Sequence, residues 1–332
     1  MSLYQAETRR LLKRRFTRLF VLGGLLILAA VAAGTFLTSE KVGPDQIAAA
    51  QLKAQNEYRS ALADAEKVKA DCAAAQGAAD APDCANLYTP TPDNFAAEWY
   101  MPPTFDFREK FPDMVTTLAA IMAVVAFIVG ASFVGAEWSS GGMMNLLLWR
   151  PQRIRVLSTK LAAFLVGVTA LTVVLAAAWT GLFVLIAHAR GSTASMTSGA
   201  WQSMALMELR GLGLVVAAGT LGFGLASIGR HTAMALGAVV GLVIVFQFGL
   251  GTVLNLAHVK FFEAYLIPVW MIAWMSKRYT IQDTSSCDFS ATSGCQPDTL
   301  TLTWQMAGTG LAAIFLLVVI ASLWTMRKRD VT

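Results

Sequence analysis

The sequence predicts an all-α integral membrane protein with six transmembrane helices. Of its 332 residues, 56% are hydrophobic and only 14% are charged, and the mean hydropathy is +0.56. A soluble domain of this size could not bury so much apolar surface. The apolar residues also form runs of about 20 residues, the helix length that crosses a hydrocarbon layer about 30 Å thick. These runs, numbered spans 1 to 6, are 19–37, 114–136, 161–187, 206–229, 233–257 and 304–325.

The distribution of positive charge predicts the orientation of the spans. If the N-terminus is cytoplasmic, the inner segments hold 14 Lys and Arg against 3 acidic residues, whereas the rest of the chain holds 12 against 18. Lys and Arg are retained on the cytoplasmic side, so both termini are expected there, in a multi-pass protein of a bacterial plasma membrane. The cations follow the span ends instead of forming one face, which argues against nucleic acid as a partner. The inner segments are 1–18, 137–160, 230–232 and 326–332.

Segment 1–18 precedes span 1 and is predicted to form an amphipathic helix at the cytoplasmic interface. Leu12, Phe16 and Leu19 recur at helical spacing among six cations, a pattern typical of a helix that lies on membrane lipids. The Arg-rich start and apolar core also resemble a cleavable signal peptide, but the apolar run continues to Leu37, which favours an uncleaved span.

The two large outer loops are expected to contain further helices. Loop 38–113 is predicted to form a helical hairpin, since small and apolar residues repeat at steps of three and four from Ile47 to Cys72. This stripe is interpreted as the core of the hairpin, and the alternative is a lid or docking surface. In loop 258–303, the apolar stretch 261–275 is too short to span and contains Pro268, so a re-entrant or interfacial helix is expected.

All four cysteines lie on the side predicted to be outer. Cysteines close in sequence in an oxidising compartment indicate disulfides, most simply Cys72 with Cys84 and Cys287 with Cys295. Three pairings are possible from the sequence. A metal site is the rival interpretation, but no CxxC motif or nearby His supports it.

The chain lacks the common catalytic motifs. It contains no GxxxxGK[ST], HExxH or GxSxG, so no enzymatic activity and no cofactor bound by this chain are expected. The glycines at 219, 222 and 224 lie within span 4, where close helix packing explains them better than phosphate binding. The most polar mid-span residue is Gln247, which is expected to bond a neighbouring helix or, alternatively, to line a substrate path.

Segment 137–160 has the features of a short lever between spans 2 and 3. Glu137 ends span 2, Gly141 and Gly142 break the helix, an apolar turn follows, and Pro151 with nearby cations restarts the chain into span 3. Such a segment could convert a push from a cytoplasmic partner into a tilt of two spans.

Here the chain resembles the permease subunits of ABC exporters of the second permease class. In that family the segment between spans 2 and 3 runs Glu, three residues, Gly, a Leu-rich turn, Pro, Arg and a Lys that opens span 3. The layout of six spans, an inner N-terminal helix and a partial helix before span 6 is also similar. Gly142 departs from the usual Thr, and Pro151 is one residue late. The matching residues are Glu137, Gly141, Leu146, Leu147, Pro151, Arg153 and Lys160.

The resemblance implies a permease that works in pairs, with an identical or related copy, above two ABC ATPase subunits. ATP and Mg would bind to the partner subunits, and 137–153 would be the coupling helix, anchored by charge pairing of Glu137 and Arg153. Export of a drug, peptide or lipid is expected. The alternative is a membrane sensor or immunity protein whose outer loop binds a peptide or antibiotic without turnover. The substrate path, implied on spans 2 and 5, is predicted at Phe127, Phe246, Gln247, Phe248 and Asn255.

Overall fold

A computed structural model describes residues 3–75, 87, 89–149, 152–283 and 297–328. It confirms the predicted fold class, because six of its helices are long and apolar enough to cross a membrane. The helices are α1 (Leu3–Lys13), α2 (Arg15–Thr38), α3 (Pro44–Ala75), α4 (Phe107–Ser139), α5 (Gly142–Trp149), α6 (Arg153–Arg190), α7 (Ser198–Gly229), α8 (Thr232–Leu242), α9 (Gly251–Leu256), α10 (Ile267–Ser276) and α11 (Trp304–Lys328).

Each predicted span lies within this helical framework. Spans 1, 2, 3, 4 and 6 correspond to α2, α4, α6, α7 and α11, and span 5 combines α8 and α9 with a π-helix at Val243–Leu250 between them. Several helices extend beyond the apolar runs, most clearly α4 and α6. Hydropathy marks the membrane-crossing part, whereas helical hydrogen bonds continue through polar residues at the ends.

Glycine allows α4 and α7 to approach closely at their crossing. A methyl group at Gly130 would lie 2.4 Å from the carbonyl oxygen of Gly219, and one at Gly222 would lie 2.2 Å from that of Phe127. These two helices are also the most covered, with 72% and 50% of their most apolar windows buried. In a membrane the hydrophobic effect does not drive helices together, so close van der Waals packing at small residues holds them instead. The packing role predicted for the span 4 glycines is thus observed at Gly219 and Gly222.

The stretch expected to form one partial helix is divided in two. A 3₁₀ turn covers Phe262–Tyr265, and α10 begins at Ile267. Pro268 lies in the first turn of α10, where its missing N–H costs no helical hydrogen bond, so it starts a helix instead of interrupting one. Trp270 and Trp274 pack against α11 at glycines 310 and 308.

A β-hairpin follows α10 and was not predicted. Strands β3 (Arg278–Asp283) and β4 (Asp298–Thr303) are antiparallel, with Arg278 opposite Thr303. Ile281 and Leu302 point inward to a small core, and the polar residues alternate outward. This period-two pattern is visible in the sequence and would have predicted the strands. The rest of the core is Val269, Ala273 and Ala307.

The chain forms two compact units. The first comprises residues 1–31, 108–182 and 196–332 and holds most of the spans. The second comprises 32–107 and 183–195. Within the second, strand β1 (Phe105–Asp106) pairs in parallel with β2 (Gly191–Ser192), and α3 has the length that the apolar stripe predicted.

Part of the α3 stripe is buried within the second unit. Ala50 and Ala54 are buried, and the Tyr58 ring lies 5.8 Å from that of Phe95, whereas Val68 is 51% exposed. Cys72, at the end of the stripe, is buried as well, so buried and exposed positions alternate along it. Cys72 lies near the end of α3, and Cys84, Cys287 and Cys295 lie outside the described residues, so the two disulfides stay predictions.

We expect Gly222→Ala to destabilise the protein, because the added methyl group would push apart two helix backbones. Overpacking of this kind costs about 1–3 kcal/mol. Gly23→Ala is the matched control, since nothing lies within 4 Å of the added methyl group. Alanine favours the helix by about 1 kcal/mol, so the control should melt at or slightly above the wild-type temperature. Thermal unfolding in mild detergent measures both, and equal melting temperatures would contradict the prediction.

Candidate functional site

The segment between spans 2 and 3 has the helix break that its glycines predicted. Helix α4 ends at Ser139, and α5 begins at Gly142. Gly141 has a φ of +71°, in the left-handed region that glycine adopts without steric cost. The chain thus turns sharply at one residue. Any other side chain at Gly141 would be strained, although open space surrounds the position.

Helix α5 presents two contrasting faces. The Met143 side chain is fully buried, Leu146 is half-buried, and Leu148 is 81% exposed. Pro151 and the side chain of Leu147 lie outside the described residues. The buried side of α5 therefore packs against the rest of the chain, and Leu148 projects from its other side.

A buried cluster of charged side chains joins three helices beside this segment. The Lys160 ammonium of α6 lies 2.6 Å from a carboxylate oxygen of Glu7 on α1 and 2.6 Å from one of Glu137 on α4. The side chains of Lys160 and Glu7 are fully buried, and that of Glu137 is 13% exposed. The other Glu7 oxygen accepts a hydrogen bond of 3.2 Å from Arg10. Two carboxylates and two cations therefore balance one another.

Aromatic rings pack against this charge cluster. The Lys160 ammonium lies 5.1 Å and the Arg14 guanidinium 5.6 Å from the centre of the Phe133 ring, both within cation–π range. Arg14 also donates to the carbonyl oxygen of Ser132 at 3.0 Å. The Phe133 ring is stacked with Phe164, which is stacked in turn with Phe223. These three rings form a continuous line of contacts from α4 through α6 to α7.

Burial decides the energetics of the cluster. An ammonium taken out of water loses several kcal/mol of hydration, which only close counter-charges and hydrogen bonds offset. Lys160 has two such carboxylates, so moving α1 or α4 away from α6 would leave a buried charge poorly compensated. The cluster therefore ties the N-terminal helix, the end of span 2 and the start of span 3 into one body.

The structure gives Glu137 a charge partner that the resemblance did not name. The Glu137 carboxylate lies 2.6 Å from the Lys160 ammonium, and the charge pairing implied for Glu137 and Arg153 stays a prediction. Arg153 is half-buried and opens α6. Lys160 lies two turns further along α6, on the face that meets Glu7 and Phe133.

The turn between spans 4 and 5 meets the end of span 2. Arg230 ends α7 in the left-handed conformation, and its guanidinium lies 5.0 Å from the centre of the Trp138 ring. A methyl group at Gly135 would lie 2.5 Å from the backbone nitrogen of Thr232. The described residues of segments 1–18, 137–160 and 230–232 thus lie together, as expected of segments on the same side of a membrane.

The predicted path residues fall in two places. Phe246, Gln247 and Phe248 lie in the π-helix of span 5, where Gln247 is half-buried between two exposed rings, and Asn255 is exposed on α9. Phe127 is half-buried where α4 crosses α7. The π-helix was not predicted, and such segments frequently occur at functional sites.

Several charged and aromatic members of the site were not predicted from the sequence: Glu7, Arg10, Arg14, Phe133, Trp138 and Arg230. Glu7 is the one acidic residue among the six cations of segment 1–18, and a lone acid in a basic helix could have indicated a buried partner. Trp138 and Arg230 gave no signal beyond their positions at span ends. Among residues 3–75, 87, 89–149, 152–283 and 297–328, no group of three or more His, Cys, Asp or Glu side chains could hold a metal ion.

One family model matches nearly the whole chain. The family is described as "ABC-2 family transporter protein", and the match covers residues 1–331. No curated protein matches the chain.

We expect Lys160→Met to destabilise the protein strongly. The substitution keeps an unbranched apolar stem but leaves two buried carboxylates facing each other, a defect that typically costs about 3–5 kcal/mol. Lys110→Met is the control, because Lys110 and its neighbour Glu109 form an exposed ion pair, worth about 1 kcal/mol or less. Thermal unfolding in detergent compares the two, and similar melting temperatures would show that the cluster contributes little.

Proposed function

Since the chain belongs to the ABC-2 family of transporter proteins, we propose that it is the permease subunit of an ATP-driven exporter. The family and the six candidate spans make it a multi-pass membrane protein, and membership implies association with an ABC ATPase. In our proposal, a lipophilic or amphipathic substrate, such as a drug, peptide or lipid, leaves the cytoplasm or inner leaflet by alternating access.

The observation that carries this proposal is the connection of α5 to the spans. Leu148 is exposed on α5, Gly141 joins α5 to span 2 at a sharp turn, and Glu137 beside that turn contacts buried Lys160 of span 3. A partner that pushes on α5 would therefore act on both spans at once. Such an arrangement suits a coupling helix better than a plain connecting loop.

Hydrolysis belongs to the ATPase in this mechanism, and the permease supplies mechanical coupling. Binding of ATP and Mg by two ATPase subunits would close them and displace α5. The charge cluster would carry the displacement to α1, α4 and α6, and the close glycine contacts would pass it to α7. Packed helices shift as rigid bodies, so a small movement at one end becomes a change of tilt.

Span 5 is proposed to face the second permease and the substrate path. Only 6% of its most apolar window is buried within the chain, although Phe246 and Phe248 project there beside Gln247. Packing against an identical or related copy would cover this face and place the path between the two subunits.

Co-purification tests the proposal directly. We expect mass spectrometry of the tagged protein, purified in mild detergent from its host, to identify a P-loop ATPase at one copy per permease. Leu148→Asp should weaken that association by about 30-fold, since loss of a central apolar anchor costs about 2 kcal/mol.

Leu52→Asp is the matched control, because Leu52 is 62% exposed on α3 and belongs to the predicted outer loop. Its ATPase partner should be retained. Absence of an ATPase from the wild-type protein, together with a bound peptide or antibiotic, would favour a sensor or immunity protein instead.

We expect Glu137→Gln to uncouple hydrolysis from transport. Lys160 keeps Glu7 as its counter-charge, so folding should survive while the direct link from the α5 turn to span 3 is weakened. In inside-out vesicles, ATP hydrolysis should continue while ATP-dependent uptake across a panel of lipophilic dyes falls at least 10-fold. Arg153→Ala is expected to act similarly through the other end of the segment. Unchanged dye uptake in both variants would contradict the coupling role.

A further inference from the structure

A basic groove runs along α1 beside the charge cluster. It has a volume of about 440 Å³ and is lined by Ala6, Arg9, Arg10, Lys13, Arg14 and Glu137. Four cations therefore face one carboxylate. That carboxylate is engaged by Lys160 at 2.6 Å, so it does little to neutralise the groove.

Two of the groove cations have their charge available for a ligand. Arg9 and Lys13 are exposed, and neither has a hydrogen-bond or ion-pair partner in the described part of the chain. Arg10 and Arg14 are instead held in place, by Glu7 and by the Ser132 carbonyl oxygen. The groove thus combines two fixed guanidinium groups with two adaptable cations, a suitable set for phosphate oxygens.

The other side of α1 is apolar. On the face of α1 away from the groove, Leu11 and Leu12 line a cavity of about 200 Å³ together with Val125, Ala126 and Val168 of spans 2 and 3. Immediately along the chain, Leu19 is 65% exposed. Basic side chains on one side of α1, with apolar side chains on the other side and at the start of span 1, match the two parts of a phospholipid.

We propose that this groove binds the phosphate of an anionic phospholipid headgroup. The acyl chains would lie along the apolar surface of α1 and span 1. Because Arg10 bonds Glu7, and Glu7 bonds Lys160, lipid in the groove would also hold α1 against the charge cluster. The site does not depend on the direction of transport or on the substrate.

Lipid titration of the full-length protein tests the site. Native mass spectrometry in a neutral detergent would follow binding of dioleoyl phosphatidylglycerol and of dioleoyl phosphatidylcholine, which share their acyl chains. We expect the wild-type protein to bind phosphatidylglycerol at least 10-fold more tightly. Arg9→Gln with Lys13→Gln should weaken that binding by about 30-fold, the effect expected of two basic residues near an anionic lipid.

Arg59→Gln with Lys67→Gln is the matched control. It removes the same charges from exposed positions on α3, and glutamine keeps similar helix propensity in both pairs. Phosphatidylglycerol binding should be unchanged in the control. Equal binding of the two lipids by the wild type, or equal binding of phosphatidylglycerol by both double variants, would overturn the proposal.

Two further arms separate other sources of the same chemistry. If glycerol 3-phosphate binds the groove as tightly as phosphatidylglycerol, the ligand is a soluble phosphate and the lipid proposal fails. If Arg9→Gln with Lys13→Gln releases a co-purified ATPase while phosphatidylglycerol binding stays intact, the groove is a protein docking surface and the proposal is again overturned.

Discussion

The fully buried ammonium of Lys160 is the constraint on which the inner end of the structure depends. A desolvated cation is stable only beside counter-charges, so the contacts with Glu7 and Glu137 both stabilise the fold, and Glu7 is the more deeply buried partner. The Phe133 ring also packs against the Lys160 ammonium. Helices α1, α4 and α6, which are far apart in sequence, are thereby held together at Lys160. The turn before α5 follows directly after Glu137, one of the Lys160 partners.

Two kinds of contact hold spans 2 to 4 together, each at a different depth. Deep in the helices, Gly130 and Gly222 let backbones touch, which leaves no space for sliding without steric clash. At the end near Glu137, charge and aromatic contacts hold the helices, and these are directional and local. Beyond its packed start at Thr232 and Ala235, span 5 takes little part in either, and most of its apolar surface is uncovered within the chain.

Hydropathy predicted the six spans because each must be apolar over its membrane-crossing length, whatever its neighbours. The helix break at Gly141 was also predictable, since it depends on local residues. The Glu7 and Lys160 contact was not, because it joins positions 153 residues apart and the sequence does not say which cation the lone acid Glu7 meets. The strand pair after α10 was not predicted for another reason: its alternating residues flank a polar stretch with two cysteines, a composition also typical of a loop.

The π-helix at Val243–Leu250 has a geometric consequence for span 5. Each of its hydrogen bonds spans one residue more than an α-helical bond, so the helix is wider there and turns less per residue. Side chains of α9 are consequently out of phase with the faces that α8 would project if it continued unbroken. A single span thus offers two differently oriented stripes, and a flat neighbour that matches one of them cannot match the other.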